Sequence, residues 1–153
     1  MPERLVASDP RFAEKVRASF ARQGLMRHLG AELVSVREGA TEIRVAFRDE
    51  LSQQHGYFHG GVTGAIADSS AGYAAFTLMP AGSSVLAVEY KLNMMAPAVG
   101  EALVARGAVI RAGRTLSVCR ADVFAVRDGK ETLCATMLST IMRLEATDRR
   151  AEG

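Results

Sequence analysis

The chain has 153 residues, of which 48% are hydrophobic and 24% are charged, and its formal net charge is +2. This length predicts one domain with a substantial core, and the composition is ordinary for a soluble globular protein. So small a charge does not indicate a nucleic-acid partner. The sequence contains neither an apolar run of about 18 residues nor a recognisable signal peptide, so we expect a cytoplasmic protein with no membrane partner.

Residues 1–24 are predicted to form a helical segment. Four of them make an apolar stripe at helical spacing, which is typical of a helix that covers part of a sheet: Phe12, Val16, Ser19 and Phe20. Ser8 or Asp9 is the predicted N-terminal cap, and Gly24 is the predicted end of the helix.

Residues 25–144 are predicted to form a single domain with one long helix and six strands. The strand patterns, each bounded by turn residues, cover residues 32–38, 41–47, 85–95, 102–111, 115–127 and 132–144. Because the helix lies between the second and third strands, this order predicts an α+β fold in which an antiparallel sheet wraps around the helix. Asp128-Gly129 predicts a two-residue hairpin, and the polar residues 145–153 are expected to be a disordered tail.

The long helix follows a glycine-bearing loop in residues 53–76, QQHGYFHGGVTGAIADSSAGYAAF. Helical spacing assigns six residues to one side of it: Val62, Ala65, Ile66, Ser69, Tyr73 and Phe76. Asp68 is assigned to the flank of that side, among four very small residues: Gly64, Ala71, Gly72 and Ala75. Interior glycines cost a helix about 0.5–1 kcal/mol each, so this flank indicates close approach by a ligand or another backbone. A solvated Asp68 beside glycines that serve tight helix–sheet packing is the alternative.

The start of this helix is a candidate site for an anion or an oxyanion. The first N–H groups of a helix have no intrahelical acceptor and lie at the positive end of the helix dipole. The Gly60-Gly61 pair would let a ligand oxygen reach those donors. A sharp turn from loop to helix is the alternative reason for two glycines here, and the spacing fits neither of the common phosphate-binding motifs.

Four separately spaced elements of this stretch resemble the signature of hotdog-fold acyl-CoA thioesterases: Gln53, Gly56, His59-Gly60-Gly61 and Asp68. The most similar branch is the phenylacetate-degradation (PaaI-like) type, related to the 4-hydroxybenzoyl-CoA thioesterases, and the similarity in element order extends from about Gly30 to Leu144. The resemblance implies a hotdog fold and hydrolysis of an acyl- or aryl-CoA thioester to the carboxylate and free CoA, with no metal or redox cofactor. A non-catalytic sensor that binds acyl-CoA is the alternative function.

The resemblance also implies roles for single residues. The Gly60 N–H would bind the thioester oxygen, Gln53 would place the thioester or the water, and Asp68 would be the general base or nucleophile. His59 would mainly hold the loop, and Gly61 would contact the substrate. The chain departs from the branch at Ala87, because a Ser or Thr that assists the water often stands there, about ten residues before the proline that ends the third strand.

Two further sets of residues bear on the chemistry. Arg111, Gly113 and Arg114 lie at a predicted turn between strands, and by resemblance this turn contacts the phosphate-bearing end of CoA. Solvated arginines that flank a hairpin are the alternative. Cys119 and Cys134 have no metal-binding spacing and are predicted to be buried free thiols. A cysteine nucleophile is disfavoured because neither cysteine is expected to lie beside the motif.

The helix geometry predicts that each active site is shared by two subunits. Asp68 lies nine residues after His59, which is about 13.5 Å and roughly 900° further along a helix, so the two positions face opposite sides of its axis. A reacting carbonyl must lie about 3 Å from its oxyanion donor and within similar reach of the base. We therefore expect a homodimer of two antiparallel copies of the helix, and the resemblance implies further pairing into a homotetramer.

Overall fold

The computed structural model describes residues 4–145. Within this range the helices are α1 (Phe12–Ala21), α2 (Gly24–Leu29) and α3 (Gly60–Phe76). The strands are β1 (Glu32–Arg37), β2 (Ala40–Ala46), β3 (Ser84–Met94), β4 (Ala102–Ala112), β5 (Leu116–Arg127) and β6 (Lys130–Leu144). Apart from Glu145, the predicted polar tail lies outside the described residues. No helix in the described range is long and apolar enough to cross a membrane.

The six strands form one antiparallel sheet in the order β1-β2-β4-β5-β6-β3, and α3 packs against its inner face. This confirms the predicted sheet wrapped around a helix. Each of the six predicted strands is present. At the β5–β6 turn, Asp128 and Gly129 both have positive φ angles of 51° and 73°, as a two-residue hairpin of this kind requires.

The helix approaches the sheet most closely at Gly107 of β4. A Cβ atom built on Gly107 would lie 2.2 Å from the carbonyl oxygen of Ser70 in α3. The same carbonyl accepts a hydrogen bond of 2.8 Å from the Thr41 hydroxyl of β2. Small residues on this side of α3, including Ala71, which is fully buried, permit the short distance between helix and sheet.

The face of α3 that stays open differs from the prediction. Apart from Gly60, the residues of α3 that are not buried are here called the Asp68 strip: Gly61, Ala65, Asp68, Ser69 and Gly72. Gly64, Ala71 and Ala75 are buried, so of the four small residues predicted around Asp68 only Gly72 belongs to the open strip. The physical reason is that α3 is surrounded by the sheet and the N-terminal helices on most sides, so apolar periodicity does not reveal which narrow strip is open.

The N-terminal segment contains two helices, and the predicted stop at Gly24 is wrong. α1 ends at Ala21, and Gly24 begins α2. The glycine that ends a helix is Gly30, which has the left-handed conformation, with φ of 67°, that favours glycine. The predicted cap, Ser8 or Asp9, is also wrong, because Arg11 is at the N-cap position of α1 and makes no side-chain cap hydrogen bond. Asp9 instead accepts a 2.9 Å hydrogen bond from the Arg11 N–H just before the helix. Lys15 of α1 donates a 2.6 Å hydrogen bond to the Met79 carbonyl, which ties α1 to the turn after α3.

Candidate active site

His59 organises the first turn of α3 and leaves one backbone donor unpaired. Its Nδ1 accepts a 2.8 Å hydrogen bond from the Gly61 N–H, and its carbonyl accepts from the N–H groups of Val62 and Thr63. No residue in the described range accepts a hydrogen bond from the Gly60 N–H. Because every other N–H of the turn has an acceptor in the chain, Gly60 is the donor available to a ligand.

Gly60 opens into a cavity of about 440 Å³. Its walls are mainly apolar, from Tyr57, Phe58, Met94, Met95 and the loop after β3, and its polar groups include Gln53, Gly60 and Thr63. The size and the few polar groups are typical of a small-molecule site. A Cβ on Gly60 would lie 2.5 Å from Cε of Met94, so the end of this side chain covers Gly60.

Gln53 is held with its amide in a defined orientation. The Gln53 Oε1 accepts hydrogen bonds from the N–H groups of His55 and Tyr57, and the Gln53 N–H donates to the Tyr57 carbonyl at 2.9 Å. These bonds close the loop that precedes α3. They occupy the oxygen of the side chain and leave its NH₂ group as the donor for a ligand in the cavity.

Cys134 also borders this cavity, so the expectation that neither cysteine lies near the motif is wrong. β6 brings Cys134 beside the start of α3, a proximity that sequence separation conceals. The thiol is 1% exposed and donates to the Val123 carbonyl at 3.3 Å. Burial raises the pKa of the Cys134 thiol, so it stays protonated and is a poor nucleophile. Both cysteines are buried and free, as predicted.

Asp68 does not line the cavity that contains Gly60. It lies eight residues along α3 from Gly60, or about 12 Å. The carboxylate is half-buried, and its buried Oδ1 has no hydrogen-bond partner within the described chain. Burial raises the pKa of the Asp68 carboxyl because it disfavours the charged form. A buried carboxylate oxygen without a partner indicates a functional group or a missing neighbour.

The Asp68 strip continues into an unpaired edge of the sheet. β3 is an edge strand of 11 residues. Tyr90 and Met94 pair in register with Ser139 and Ala135, so they lie on the same face of the sheet as these two buried residues. They are nevertheless 52% and 60% exposed. Ala87 is exposed on the same strand. A long apolar edge of this kind is normally covered in a stable protein.

The basic turn lies at the opposite end of α3. Arg111, Gly113 and Arg114 line a second cavity of about 870 Å³, together with Arg143 and with Ala75 near the end of α3. Ala75 is fifteen residues from Gly60, about 22 Å along the helix. A single chain therefore brings Gln53 and Gly60 together, but holds Asp68 and the basic turn apart from them.

Thr63 is a cavity residue that the sequence interpretation did not select. It is three residues after Gly60, and residues at this spacing lie on the same face of a helix. That spacing is the signal from which Thr63 could have been predicted.

The known proteins to which this chain is similar include thioesterases. A family model described as the thioesterase superfamily matches residues 55–132. The chain is also similar to a crystal structure of a thioesterase family protein from Silicibacter pomeroyi. The two are 45% identical, with 88% of this chain and 98% of that chain covered and a TM-score of 0.86.

Two further proteins are more distant. The PaaI protein of the E. coli phenylacetic acid degradation operon has a TM-score of 0.78 at 18% identity, over 88% of this chain and 94% of that chain, which is a similarity of fold. The 1,4-dihydroxy-2-naphthoyl-CoA hydrolase of Listeria monocytogenes is 27% identical over 95 residues, which are 62% of this chain and 77% of that protein.

Proposed function

The chain belongs to the thioesterase superfamily, and from this premise we propose that it hydrolyses an acyl- or aryl-CoA thioester to the carboxylate and free CoA. The predicted hotdog fold and thioester hydrolase class are confirmed. The observation that carries the CoA-ester proposal is the unpaired Gly60 N–H at the start of α3, which faces an apolar cavity of about 440 Å³. Such a donor stabilises the negative charge that develops on a thioester oxygen.

The proposed reaction uses the groups as follows. The thioester carbonyl oxygen accepts a hydrogen bond from the Gly60 N–H, and the Gln53 amide holds the thioester or the water. Asp68 acts as general base, taking a proton from water as the water oxygen attacks the carbonyl carbon, or as nucleophile, with water then hydrolysing the acyl-enzyme. The C–S bond breaks, and the CoA thiolate leaves and takes up a proton. His59 supports the turn by accepting the Gly61 N–H hydrogen bond. Gly61 itself contacts the substrate.

We propose that Asp68 reaches this site from a second subunit. The separation of about 12 Å along α3 and the absence of Asp68 from the cavity favour a site built from two chains. An antiparallel copy of α3 packed on the Asp68 strip would bring each Asp68 towards the other chain's Gly60. The unpaired edge of β3 would pair with its copy across the same two-fold axis, covering Tyr90 and Met94.

The same symmetry supports a role for the basic turn in CoA binding. In an antiparallel pair of α3 helices, the C-terminal end of one lies on the side of the N-terminal end of the other. The partner's basic turn then lies on the side of the Gly60 cavity, beyond the partner's Asp68. Arg111 and Arg114 are exposed and offer guanidinium groups to phosphates, and Gly113 leaves the backbone accessible.

A tetramer would be formed through the outer face of the sheet. Leu86 pairs with Met142, and Met142 pairs with Leu116 on the other side, so these three side chains form an apolar row across three strands. Leu86 and Leu116 are exposed. We propose that a second dimer covers this row. A cytoplasmic location fits the CoA substrate and the two free thiols.

The proposed function is tested by release of free thiol from a panel of aryl, short-chain and long-chain CoA thioesters. Turnover of at least one class above the rate of the Asp68→Asn variant is expected. Binding of acyl-CoA with no turnover of any thioester would support the sensor function instead and would contradict the hydrolase.

A further inference from the structure

Thr63 presents to the cavity a hydroxyl that no other part of the described chain uses. The residue as a whole is 2% exposed and lines the cavity that contains Gly60 and Gln53. Its hydroxyl makes no hydrogen bond with any residue in the range 4–145 and is not one of the fully buried unpartnered atoms of that range, so it is accessible from the cavity. Two nearby buried hydroxyls behave differently, because Ser70 donates to the Ala67 carbonyl and Thr77 donates to the Ala74 carbonyl.

The Thr63 hydroxyl does not make the hydrogen bond that is usual for a helical threonine. A threonine hydroxyl in a helix commonly donates to the carbonyl three or four residues earlier. For Thr63 the carbonyl four residues earlier is that of His59, which accepts from the N–H groups of Val62 and Thr63 but not from the Thr63 hydroxyl. A hydroxyl with no acceptor in the described chain, on the wall of a mainly apolar cavity, is available to a ligand in that cavity.

Helix geometry places the Thr63 side chain beside Gly60 at the first turn of α3. The Cα–Cβ bond of a helical residue is tilted towards the helix N-terminus, so a side chain covers the turn before its own Cα. Thr63 therefore covers the turn that begins at Gly60, and the two residues are neighbours on one helix face.

We infer that the Thr63 hydroxyl is a second hydrogen-bond donor to the carbonyl oxygen of the bound thioester, beside the Gly60 N–H. The inference rests on the proposed function, because it names a further residue of the same site. Two donors at one oxyanion are stronger than one in a cavity with apolar walls, where water does not screen them. The hydroxyl is available for this role because it has no competing acceptor in the chain.

The kinetic test compares Thr63→Val with Thr63→Ser. Valine keeps the branched shape and removes the hydroxyl, whereas serine keeps the hydroxyl. We expect Thr63→Val to lower kcat about 10–100-fold with KM changed by less than about threefold, and Thr63→Ser to stay within about threefold of the parent. A purely structural threonine predicts no such split, since its hydroxyl would contact neither the substrate nor the transition state. If Thr63→Val does not fold, Thr63→Ala takes its place.

A binding test keeps the inference separate from turnover. The probe is an acyl-CoA ketone in which a methylene replaces the sulfur, so that the carbonyl remains and cannot be hydrolysed as a thioester. Its control is the matching thioether, which lacks the carbonyl. Both carry the acyl group that the parent hydrolyses fastest, or benzoyl if none is hydrolysed. We expect Thr63→Val to weaken ketone binding about 5–10-fold and to leave thioether binding unchanged.

Each result decides one question. Unchanged kcat and unchanged ketone affinity in Thr63→Val would overturn the role of Thr63 and leave the hydrolase intact. A parent that hydrolyses no thioester would contradict the proposed function, while the ketone and thioether affinities would still decide whether Thr63 contacts the carbonyl.

Discussion

At the scale of single residues, Asp68 combines a half-buried position with a carboxylate oxygen that has no partner in its own chain. In the proposed dimer the second subunit would cover the Asp68 strip and would supply the surroundings of this carboxylate. Gly60 has the complementary property, an unpaired N–H beside a cavity that lacks a base. Asp68 therefore offers a base without an oxyanion donor, and Gly60 offers an oxyanion donor without a base.

Asp68→Asn is expected to keep the fold and the affinity for substrate while lowering turnover about 10²–10⁴-fold, the range for loss of a general base. Asparagine has nearly the same shape but cannot accept the proton or act as a nucleophile. The measurement is kcat in a free-thiol assay, with circular dichroism as the control for folding. A variant that turns over substrate at the parent rate would rule out Asp68 as the base.

The raised pKa of Asp68 sets the sign of two pH effects. In the proposed mechanism the base is the Asp68 carboxylate, so kcat/KM should fall as pH decreases through a pKa above the ordinary value of about 3.9. In the same interval the folded state binds more protons than the unfolded state, so the contribution of Asp68 to stability is present at low pH and is lost as pH rises.

The pH effects are measured against Asp68→Asn. Chemical denaturation across this pH range should show the parent losing stability relative to Asp68→Asn as pH rises. The opposite slope would mean that the assembled protein supplies a partner which favours the charged carboxylate.

At the scale of elements, the fit between α3 and the sheet depends on Gly107. Gly107→Ala would place a Cβ 2.2 Å from a backbone carbonyl oxygen, and neither backbone can move without disturbing its hydrogen bonds. We expect a loss of about 1–3 kcal/mol in the free energy of unfolding, the usual cost of overpacking. Gly24→Ala is the matched control, because the nearest atom to its added Cβ is an arginine side-chain nitrogen at 4.0 Å. Equal denaturation midpoints for the two variants would contradict this description of the packing.

The strands could be predicted from the sequence because each ends at a clear turn, such as Asp128-Gly129. The orientation of α3 could not, because the helix is buried on most sides and its periodicity does not distinguish the sheet side from the Asp68 strip. The predicted helix end at Gly24 was wrong because, in the sequence, a glycine that begins a short helix cannot be distinguished from a glycine that ends a longer one.

The candidate site was predicted where its members belong to the motif and missed where they lie outside it. Gln53, His59 and Gly60 lie within eight residues, and the structure places Gln53 and Gly60 in one cavity with His59 supporting the turn. Cys134 was missed because only the folded sheet brings β6 beside the start of α3. Thr63 lies outside the motif and was missed, although its spacing from Gly60 places the two residues on the same helix face.

At the scale of the whole molecule, the proposed dimer requires two helices to approach along the Asp68 strip. A Cβ on Gly72 would meet no atom within 4 Å in its own chain, so Gly72→Leu should fold normally as a subunit but block the second helix. We expect a shift towards monomer and a loss of activity, measured by light scattering and by thiol release. Lys130→Leu, which adds a leucine at the exposed β5–β6 hairpin, is the control. Retention of the parent oligomer and activity in Gly72→Leu would place the interface elsewhere.

The most direct measurement of a shared active site is complementation between two inactive chains, Asp68→Asn and Gly60→Pro. Proline suits Gly60 because this is the first residue of α3, where proline is favoured, and His59 before it has the extended conformation that a following proline requires. The substitution therefore removes the N–H and keeps the helix. If the chains are unfolded together and refolded in equal amounts, mixed dimers contain one intact site of two, and roughly a quarter of the parent activity should return. Mixed dimers that form and show no activity above the separate variants would contradict a site built from Gly60 of one subunit and Asp68 of the other.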